Sequence, residues 1–448
     1  MNDQLFSDLP DSVPPRPALP TRPAEARVVR PVRTQVELVP RELDALLPDD
    51  HPARSIWAFL ERMNLAAFYA AIKAVPSVPG RPATDPQVLL ALWVFATTES
   101  VGSARRLARL CEEHDAYRWL RGGVPINYHT LADFRVAHES ALNELLTEIV
   151  ASMMAADLVS LQRVAQDGMR VRASAGAASF RGQTSLEACL QQAQEQVERL
   201  AKEREHPDPG VNRRAHAAQQ RAAKERQQRL ERALELLPEA KQAKERQQRT
   251  LAKPRREQVR EPRVSTTDPE ARVMHMPDGG FRPALNVELA TDTASKVIVG
   301  VAVISHGTDQ GEALAMEAQV AERTGQHPAE YLIDGGFVKR TDITALGQAG
   351  VRVYAPLRPP RTTTSQREAT TPRPDDSPEV IAWRTRMGTE EAKAIYKDRA
   401  ATAELANAQF RHRHGVHQFT VRGLAKALSV MLLVAITHDL LRWIAMTT

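Results

Sequence analysis

The sequence predicts an α/β fold in which a mixed sheet is flanked by helices, follows an all-α N-terminal region and carries a helical insertion. Apolar residues recur at helical spacing from about residue 48 to residue 155. After residue 160, short apolar runs are interleaved with helical segments, and residues 297–304 are apolar almost throughout, as in a strand at the centre of a sheet. Residues 186–260 are rich in Ala, Arg, Glu and Gln, a composition that favours helix.

The composition excludes several classes of protein. The chain has 448 residues, of which 42% are hydrophobic, and this indicates a soluble globular protein with about three domains' worth of chain. The longest apolar run, residues 428–436, is shorter than the ~20 residues of a membrane span, and no signal peptide is recognisable. We therefore expect a cytoplasmic protein without a membrane partner. The two cysteines, Cys111 and Cys189, exclude a disulfide framework and a Cys-based zinc cluster. A net charge of +5 permits a nucleic-acid partner without demonstrating one.

Three regions follow one another along the chain. Residues 1–45 contain eight prolines, which fix φ and remove donors, so this segment is predicted to be an extended, mobile arm. Residues 46–155 are predicted to form short helices with tight turns, an organisation found in DNA-binding modules. Residues 156–448 are predicted to form the catalytic domain, with residues 186–260 as a charged insertion.

Local signals place several features of the helical region. Asp85 before Pro86 predicts a helix start, and Thr130 is expected to cap a later helix. The tryptophans of this region are expected in the core rather than stacked on bases: Trp57, Trp93 and Trp119. The arginines that could read DNA ends, or merely solubilise the surface, are Arg105, Arg106, Arg109, Arg118, Arg121 and Arg135.

The insertion contains a near-exact repeat, because residues 223–229 and 243–249 both read Ala-Lys-Glu-Arg-Gln-Gln-Arg. We predict a helical hairpin that Pro207, Pro209 and Pro238 divide into pieces. A solvated helical pair with salt-bridging faces is the favoured interpretation, and contact with DNA or a partner is the alternative.

The catalytic region is predicted to alternate strands and helices. The order is a strand over 162–173, strands over 283–290 and 296–304, a helix over 311–324, a strand over 330–337, a helix over 341–349, a strand over 350–356, a polar loop over 358–380, and helices over 389–413 and 421–443.

Three carboxylates stand out in this pattern. Asp167 lies in the middle of a strand, Asp334 ends an apolar strand before two glycines, and Glu404 lies on a late helix. Two such aspartates on neighbouring strands, with a glutamate packed across them, could hold two Mg²⁺ ions, since hard cations prefer oxygen ligands. Two metals can activate a water or a 3′-hydroxyl for phosphodiester chemistry.

Each carboxylate also has a simpler explanation. Asp167 could cap a turn at Gly168, Asp334 could belong to a β-turn, and Glu404 could be a surface residue. Glu390 and Glu391 compete for the third position.

The C-terminal helical segment resembles the Tyr-Arg-Glu-Lys signature of bacterial insertion-sequence transposases of the DDE type, through Tyr396, Arg399, Glu404 and Arg411. Other stretches are similar to the same family in the same order, so that the resemblance covers residues 45–445. They are the helical-domain segments 47–54, 81–86 and 128–135, the first-Asp strand 166–173, the segment 264–272, and the second-Asp strand 331–337.

The resemblance implies an RNase H-like catalytic core with Asp167, Asp334 and Glu404 as catalytic and metal-binding triad, holding two Mg²⁺ ions for which Mn²⁺ can substitute. It further implies cleavage at element ends and strand transfer into target DNA. The partners would be the terminal inverted repeats and target DNA, with a homodimer or higher assembly on DNA. A metal-dependent nuclease without strand transfer and a catalytically silent DNA-binding protein are the alternatives.

Basic and aromatic residues near the triad are expected to contact DNA phosphates. They are Tyr396, Arg399, Arg411, Arg170, Arg172 and Lys339. The histidines of the adjoining tract are expected to contact phosphate or cap the helix rather than bind metal: His412, His414 and His417.

The chain departs from the family pattern at three points. Four residues separate Arg399 from Glu404 where the stricter signature has three, and one extra residue rotates an α-helix by about 100°. We therefore expect these two side chains to share a helix face poorly. Arg411 replaces the usual Lys, and Asp439 stands where relatives often have Asn, which we interpret as packing.

Overall fold

The computed structural model describes Thr34 and residues 40–74, 82–205, 213–250, 261–357 and 370–447. Residues 43–448 form one compact unit. Most of the predicted N-terminal arm, Pro207, Pro209 and the first part of the predicted polar loop lie outside the described residues.

The N-terminal region is helical, as predicted. Asp85 accepts the Gln87 N–H at 2.8 Å and caps the helix that begins at Pro86, as predicted. The expected cap at Thr130 was wrong, because the helix begins earlier and Asn127 accepts the Thr130 N–H at 2.9 Å. The helices are α1 (Pro52–Leu60), α2 (Ala66–Ala70), α3 (Pro86–Thr98), α4 (Ala104–Glu113), α5 (Asp115–Arg121), α6 (Tyr128–Ala137) and α7 (Glu139–Ala155).

Aromatic and arginine side chains show how these helices pack. Trp93 is buried and donates its indole N–H to the Leu131 carbonyl, whereas Trp57 and Trp119 are half-buried against each other. Arg135 is also buried: it stacks on Trp93 and bonds the Gly102 carbonyl and the Thr420 hydroxyl. The suggestion that Arg135 reads DNA was therefore wrong.

The central sheet has the order β6-β5-β1-β7-β8, with β4 pairing beside β6 on β5. β1 is antiparallel to β5 and parallel to β7, and β7 is parallel to β8. This mixed arrangement with flanking helices confirms the predicted RNase H-like α/β class. The strands are β1 (Arg163–Arg172), β4 (Arg272–His275), β5 (Phe281–Asp292), β6 (Ile298–Ile304), β7 (Glu330–Leu332) and β8 (Arg352–Tyr354); β2 (Phe180–Arg181) and β3 (Val264–Ser265) form a separate pair.

The helices of the catalytic region follow the sheet strands in the predicted order, except for a helix at Pro378–Met387, which was not predicted and begins inside the expected polar loop. The last predicted helix but one is divided, because a π-helical turn at Ala400–Glu404 separates two α-helices. The helices are α10 (Glu312–Thr324), α11 (Arg340–Gln348), α12 (Pro378–Met387), α13 (Glu390–Lys397), α14 (Leu405–His412) and α15 (Leu424–Thr447).

Helix α15 connects the helical region to the sheet, since it packs on α3, α6, α7 and β6. It has 24 residues and is long and apolar enough to cross a membrane, although 67% of its most apolar window is buried inside the protein. The expectation that no apolar segment reaches this length was wrong, because the helix extends beyond the apolar run on both sides. Its apolarity is accounted for by its position in the core.

The insertion is a helical hairpin, in which α8 (Gln183–Glu205) packs on α9 (Arg213–Thr250). An apolar cluster that includes Leu186, Leu230 and Val264 joins the hairpin to β3. Pro238 does not break the helix as predicted, but lies inside α9.

Asp439 provides a test of the α15–sheet contact. Its buried Oδ1 accepts the Ile298 N–H at 2.8 Å, and burial raises the pKa of this carboxyl well above its usual range. An amide keeps this acceptor, so Asp439→Asn should preserve stability near pH 7. Asp439→Leu leaves a buried N–H without a partner and should cost about 1–3 kcal/mol more in urea unfolding. Equal losses for both substitutions would contradict this role.

Candidate active site

Asp167 lies in the middle of β1, opposite Leu289 of β5. Side chains alternate along a strand, so Asp167 lies on the sheet face opposite to Gln166 and Gly168. Its Oδ1 accepts the Gly168 N–H at 3.1 Å, and its Oδ2 accepts the Asn407 side-chain N–H at 3.0 Å. Burial raises its pKa to about 6; Arg399 opposes this shift, while the charges of Asp334 and Glu404 add to it. The other two predicted carboxylates are thus both near enough to act on the charge of Asp167.

Asp334 follows β7, whose three residues are buried. Because β7 is parallel to β1, its carboxyl end points in the same direction as that of β1. Oδ1 of Asp334 accepts the Gly336 N–H, which closes the Asp-Gly-Gly bend. A Cβ at position 336 would lie 3.3 Å from Oδ1 of Asp334 and 3.4 Å from Oδ2 of Asp309. A side chain at position 336 would therefore pack tightly against the Asp334 carboxylate.

Glu404 is the last residue of the π-helical turn. A π-turn bonds i to i+5 instead of i+4, so it contains one more residue than an α-turn. Here it takes up the extra residue between Arg399 and Glu404, and the Arg399 Nη2 donates to Oε1 of Glu404 at 3.3 Å. The expectation that these residues share a face poorly was wrong, because it assumed an uninterrupted α-helix.

Arg399 joins the helix to the strand. Its Nη1 lies 3.5 Å from Oδ1 of Asp167, while its Nη2 contacts Glu404, and its side chain is only 13% exposed. The guanidinium also lies over the Tyr396 ring, 5.9 Å from its centre. The structure therefore places Arg399 as an internal counter-ion of two carboxylates, a position that the expected DNA contact did not anticipate.

Of the other residues predicted to bind DNA, some are exposed and others already bond to groups of the protein itself. Arg172 is exposed at the end of β1, and Lys339 is half-exposed with its ammonium 3.3 Å from Asp342. Arg170 lies on the opposite sheet face from Asp167 and donates to the carbonyls of His275 and Gly307. Arg411 in turn donates to the Arg170 carbonyl.

The remaining candidates lie apart from these contacts. Glu390 is 88% exposed and pairs with Lys393, and no described contact brings it or Glu391 to the triad. His414 is buried with Nδ1 against the Thr97 carbonyl, and burial lowers its pKa to about 4. It is therefore a neutral core histidine, not the phosphate ligand or cap that was expected.

A buried carboxylate network was missed by the sequence reasoning. Glu288 of β5, fully buried, accepts Gln166 at 3.0 Å and Asn286 at 2.8 Å, and Asn286 also donates to Asp309 at 2.8 Å. Asp309 thereby links this network to the Asp334 bend. The available signal was the Asp-Gln-Gly-Glu turn at residues 309–312, in the segment after β6, which resembles the Asp-Gly-Gly turn after β7.

The donor set has the right chemistry for a hard cation, because the three side chains offer only carboxylate oxygens. In the described part of the chain, however, no three His, Cys, Asp or Glu side chains are arranged to hold a metal ion. Arg399 occupies the space between two of the carboxylates. The three residues therefore fit a divalent cation by donor type, but their arrangement in this structure does not itself form a metal site.

The π-turn can be tested by changing its length. Deleting the exposed Ala401 should convert it to an α-turn and keep Glu404, Asn407 and the buried Phe410 in place, so the midpoint of thermal unfolding should stay within about 3 °C. Inserting one alanine after Ala401 should rotate α14 by about 100° and remove Phe410 from the core, at a cost of roughly 3–5 kcal/mol. Similar losses for both variants would show that the π-turn does not absorb the extra residue.

Glu288 generates a pH prediction. Burial, and then the charge of Asp309, raise its pKa to about 8. A raised carboxyl pKa contributes stability below the unfolded pKa of about 4.5, and this contribution is lost as the pH rises through 8. The free energy of unfolding of Glu288→Gln, relative to that of the wild type, should therefore increase from pH 5 to pH 9. A difference independent of pH would show that Glu288 is ionised throughout.

Comparisons with known families agree with this geometry. One family model, described as a transposase domain (DUF772), matches residues 41–137, which include α1–α6. A second, described as a transposase DDE domain, matches residues 356–444, which include Glu404 and the π-turn. Neither a curated protein nor a solved structure matches the chain. The two transposase models match opposite ends of the chain, on either side of a sheet consistent with an RNase H-like core, and they support an insertion-sequence DDE transposase.

Proposed function

We propose that this transposase cleaves DNA at the ends of its insertion element and joins those ends to target DNA in a metal-dependent reaction. The observation that carries the proposal is the double contact of Arg399, which brings the helix carboxylate of Glu404 to the strand carboxylate of Asp167. Asp334 acts on the same group, because its charge raises the pKa of Asp167. These are the residues that the resemblance assigns to the triad.

Asp167, Asp334 and Glu404 would hold the metal. The chemistry that two Mg²⁺ ions supply in such a site is the activation of a water or 3′-hydroxyl and the stabilisation of the leaving oxygen. The chain itself orients the carboxylates: Asn407 and the Gly168 N–H fix Asp167, and the Gly336 N–H fixes Asp334. Glu404 is the most exposed of the three, with 58% of its side chain accessible, and Arg399 restrains it.

DNA would be positioned by exposed cations of the catalytic region and of the helical region. Arg172 and Lys339 are exposed or half-exposed, and on α4 the exposed arginines lie opposite the buried Leu107 and Cys111. Phosphate contacts position a duplex without reading its sequence, so base readout is assigned to the helical region. Of the arginines suggested there, Arg105, Arg106 and Arg109 are exposed, and Arg121 is paired with Glu112 at 2.8 Å.

Asp334→Asn should leave DNA binding intact and lower Mg²⁺-dependent cleavage of a labelled element end by roughly 100-fold or more, since a bound metal contributes several kcal/mol to such a reaction. Glu404→Gln should behave alike. The matched controls are Glu390→Gln and Glu391→Gln, which remove exposed carboxylates of neighbouring α13 and should cleave normally. Normal cleavage by Asp334→Asn would refute the triad.

The same assay separates the alternatives. Joined products with a target duplex support strand transfer, whereas cleavage without joining would indicate a nuclease. A wild-type protein that binds DNA and never cuts it with Mg²⁺ or Mn²⁺ would be a catalytically silent DNA-binding protein.

A further inference from the structure

A cavity of about 390 Å³ lies at the base of the helical hairpin, away from the carboxylates. Its lining is basic and hydroxylic, with one cysteine, Cys189, at its wall. The residues that define it, which we call the arginine pocket, are Arg181, Arg226, Arg229, Arg422, Thr266 and Thr267.

Four separate segments build this pocket. Arg181 comes from β2, Arg226 and Arg229 lie one turn apart on α9, and Arg422 precedes α15. Arg232 of the same helix pairs with Glu270 at 3.3 Å, and Glu270 accepts the first N–H of α15. The hairpin is therefore fixed to the catalytic region at this point, and the arginines are held together by the fold.

The positive charge of the arginine pocket is largely unbalanced by neighbouring carboxylates. Arg181, Arg226 and Arg422 are exposed, and within the described residues no carboxylate lies within 4.0 Å of any of them. Arg229 is half-buried with Glu225 at 3.8 Å; burial lowers its pKa, and the charge of Arg422 lowers it further. The charge of Arg422 also acts on buried Asp268.

Guanidinium groups bind phosphate as planar forks, and threonine hydroxyls are common phosphate donors. The position also suits DNA. Arg172 lies five residues from Asp167 along β1, roughly 17 Å at the rise of a strand. Arg172 pairs with Gln418, four residues before Arg422. A duplex leaving the carboxylates along β1 passes this end after about five base pairs.

We propose that the arginine pocket binds backbone phosphates of the DNA that flanks the cleavage point, so that the hairpin serves as a second DNA clamp. This inference rests on the proposed function. It replaces the interpretation of the hairpin as a merely solvated pair of helices.

The repeat in α9 provides a matched control for the test. Arg226 and Arg246 occupy the same position in its two copies, and both are exposed, but Arg246 lies 20 residues, or about 30 Å, further along the helix. Binding of a 40-bp duplex of arbitrary sequence to the full-length protein is measured by fluorescence anisotropy over a KCl series without Mg²⁺. Arg226→Glu and Arg422→Glu should each weaken binding about tenfold and reduce the slope of log K against log salt by about 1. Arg246→Glu should bind as the wild type does.

Cys189 gives a second readout, because Cys111 is fully buried and should not react. The duplex should slow alkylation of Cys189 by N-ethylmaleimide at least about threefold in the wild type and in Arg246→Glu, and less in Arg226→Glu at the same DNA concentration. Equal weakening of DNA binding by Arg226→Glu and Arg246→Glu, or alkylation of Cys189 that DNA does not slow, would refute the proposed role of the pocket. A wild-type protein that binds no duplex would overturn the proposed function as well, whereas lost cleavage with intact binding leaves the pocket standing.

Discussion

Charge balance among carboxylates that share one half-buried edge of the sheet is the constraint on which the site depends. Burial raises the cost of ionising Asp167, and the charges of Asp334 and Glu404 both add to it. One internal cation, Arg399, compensates for these charges by contacting the carboxylates of Asp167 and Glu404. In such a site a divalent cation can pair with the carboxylates, and the guanidinium can pair with a phosphate.

Sheet order and helix register both serve this arrangement. β1 and β7 pair in parallel, so both strands run toward the same end of the sheet. Asp167 and Asp334 each lie two residues beyond the paired segment and therefore lie toward that same end. The π-turn then sets Glu404 against Arg399, while Asn407, on the next turn, reaches Asp167. Beyond this helix, α15 starts from caps supplied by Asp268 and Glu270 and packs on the N-terminal helices. The helical region, the hairpin base and the carboxylates are thereby connected through one core.

The sequence allowed the strands and carboxylates to be predicted where the signal was local. The run around Asp167, the Asp334 bend and the Asp85 cap depend on neighbouring residues alone. Prediction failed where the partner is distant: Arg135 is buried by contacts with Gly102 and Thr420, and Glu288 is bonded by Gln166 of another strand. The spacing between Arg399 and Glu404 was noticed but misjudged, since a π-turn is invisible to a pattern that assumes 3.6 residues per turn.

The central claim is that these three carboxylates together bind the catalytic metal. Fe²⁺ placed in such a site with ascorbate and peroxide generates hydroxyl radicals that cut the polypeptide nearby. We predict cuts in β1 around Asp167, after β7 around Asp334 and within the π-turn around Glu404, all suppressed by excess Mg²⁺. Cuts confined to other segments, or a pattern that Mg²⁺ does not suppress, would contradict the account.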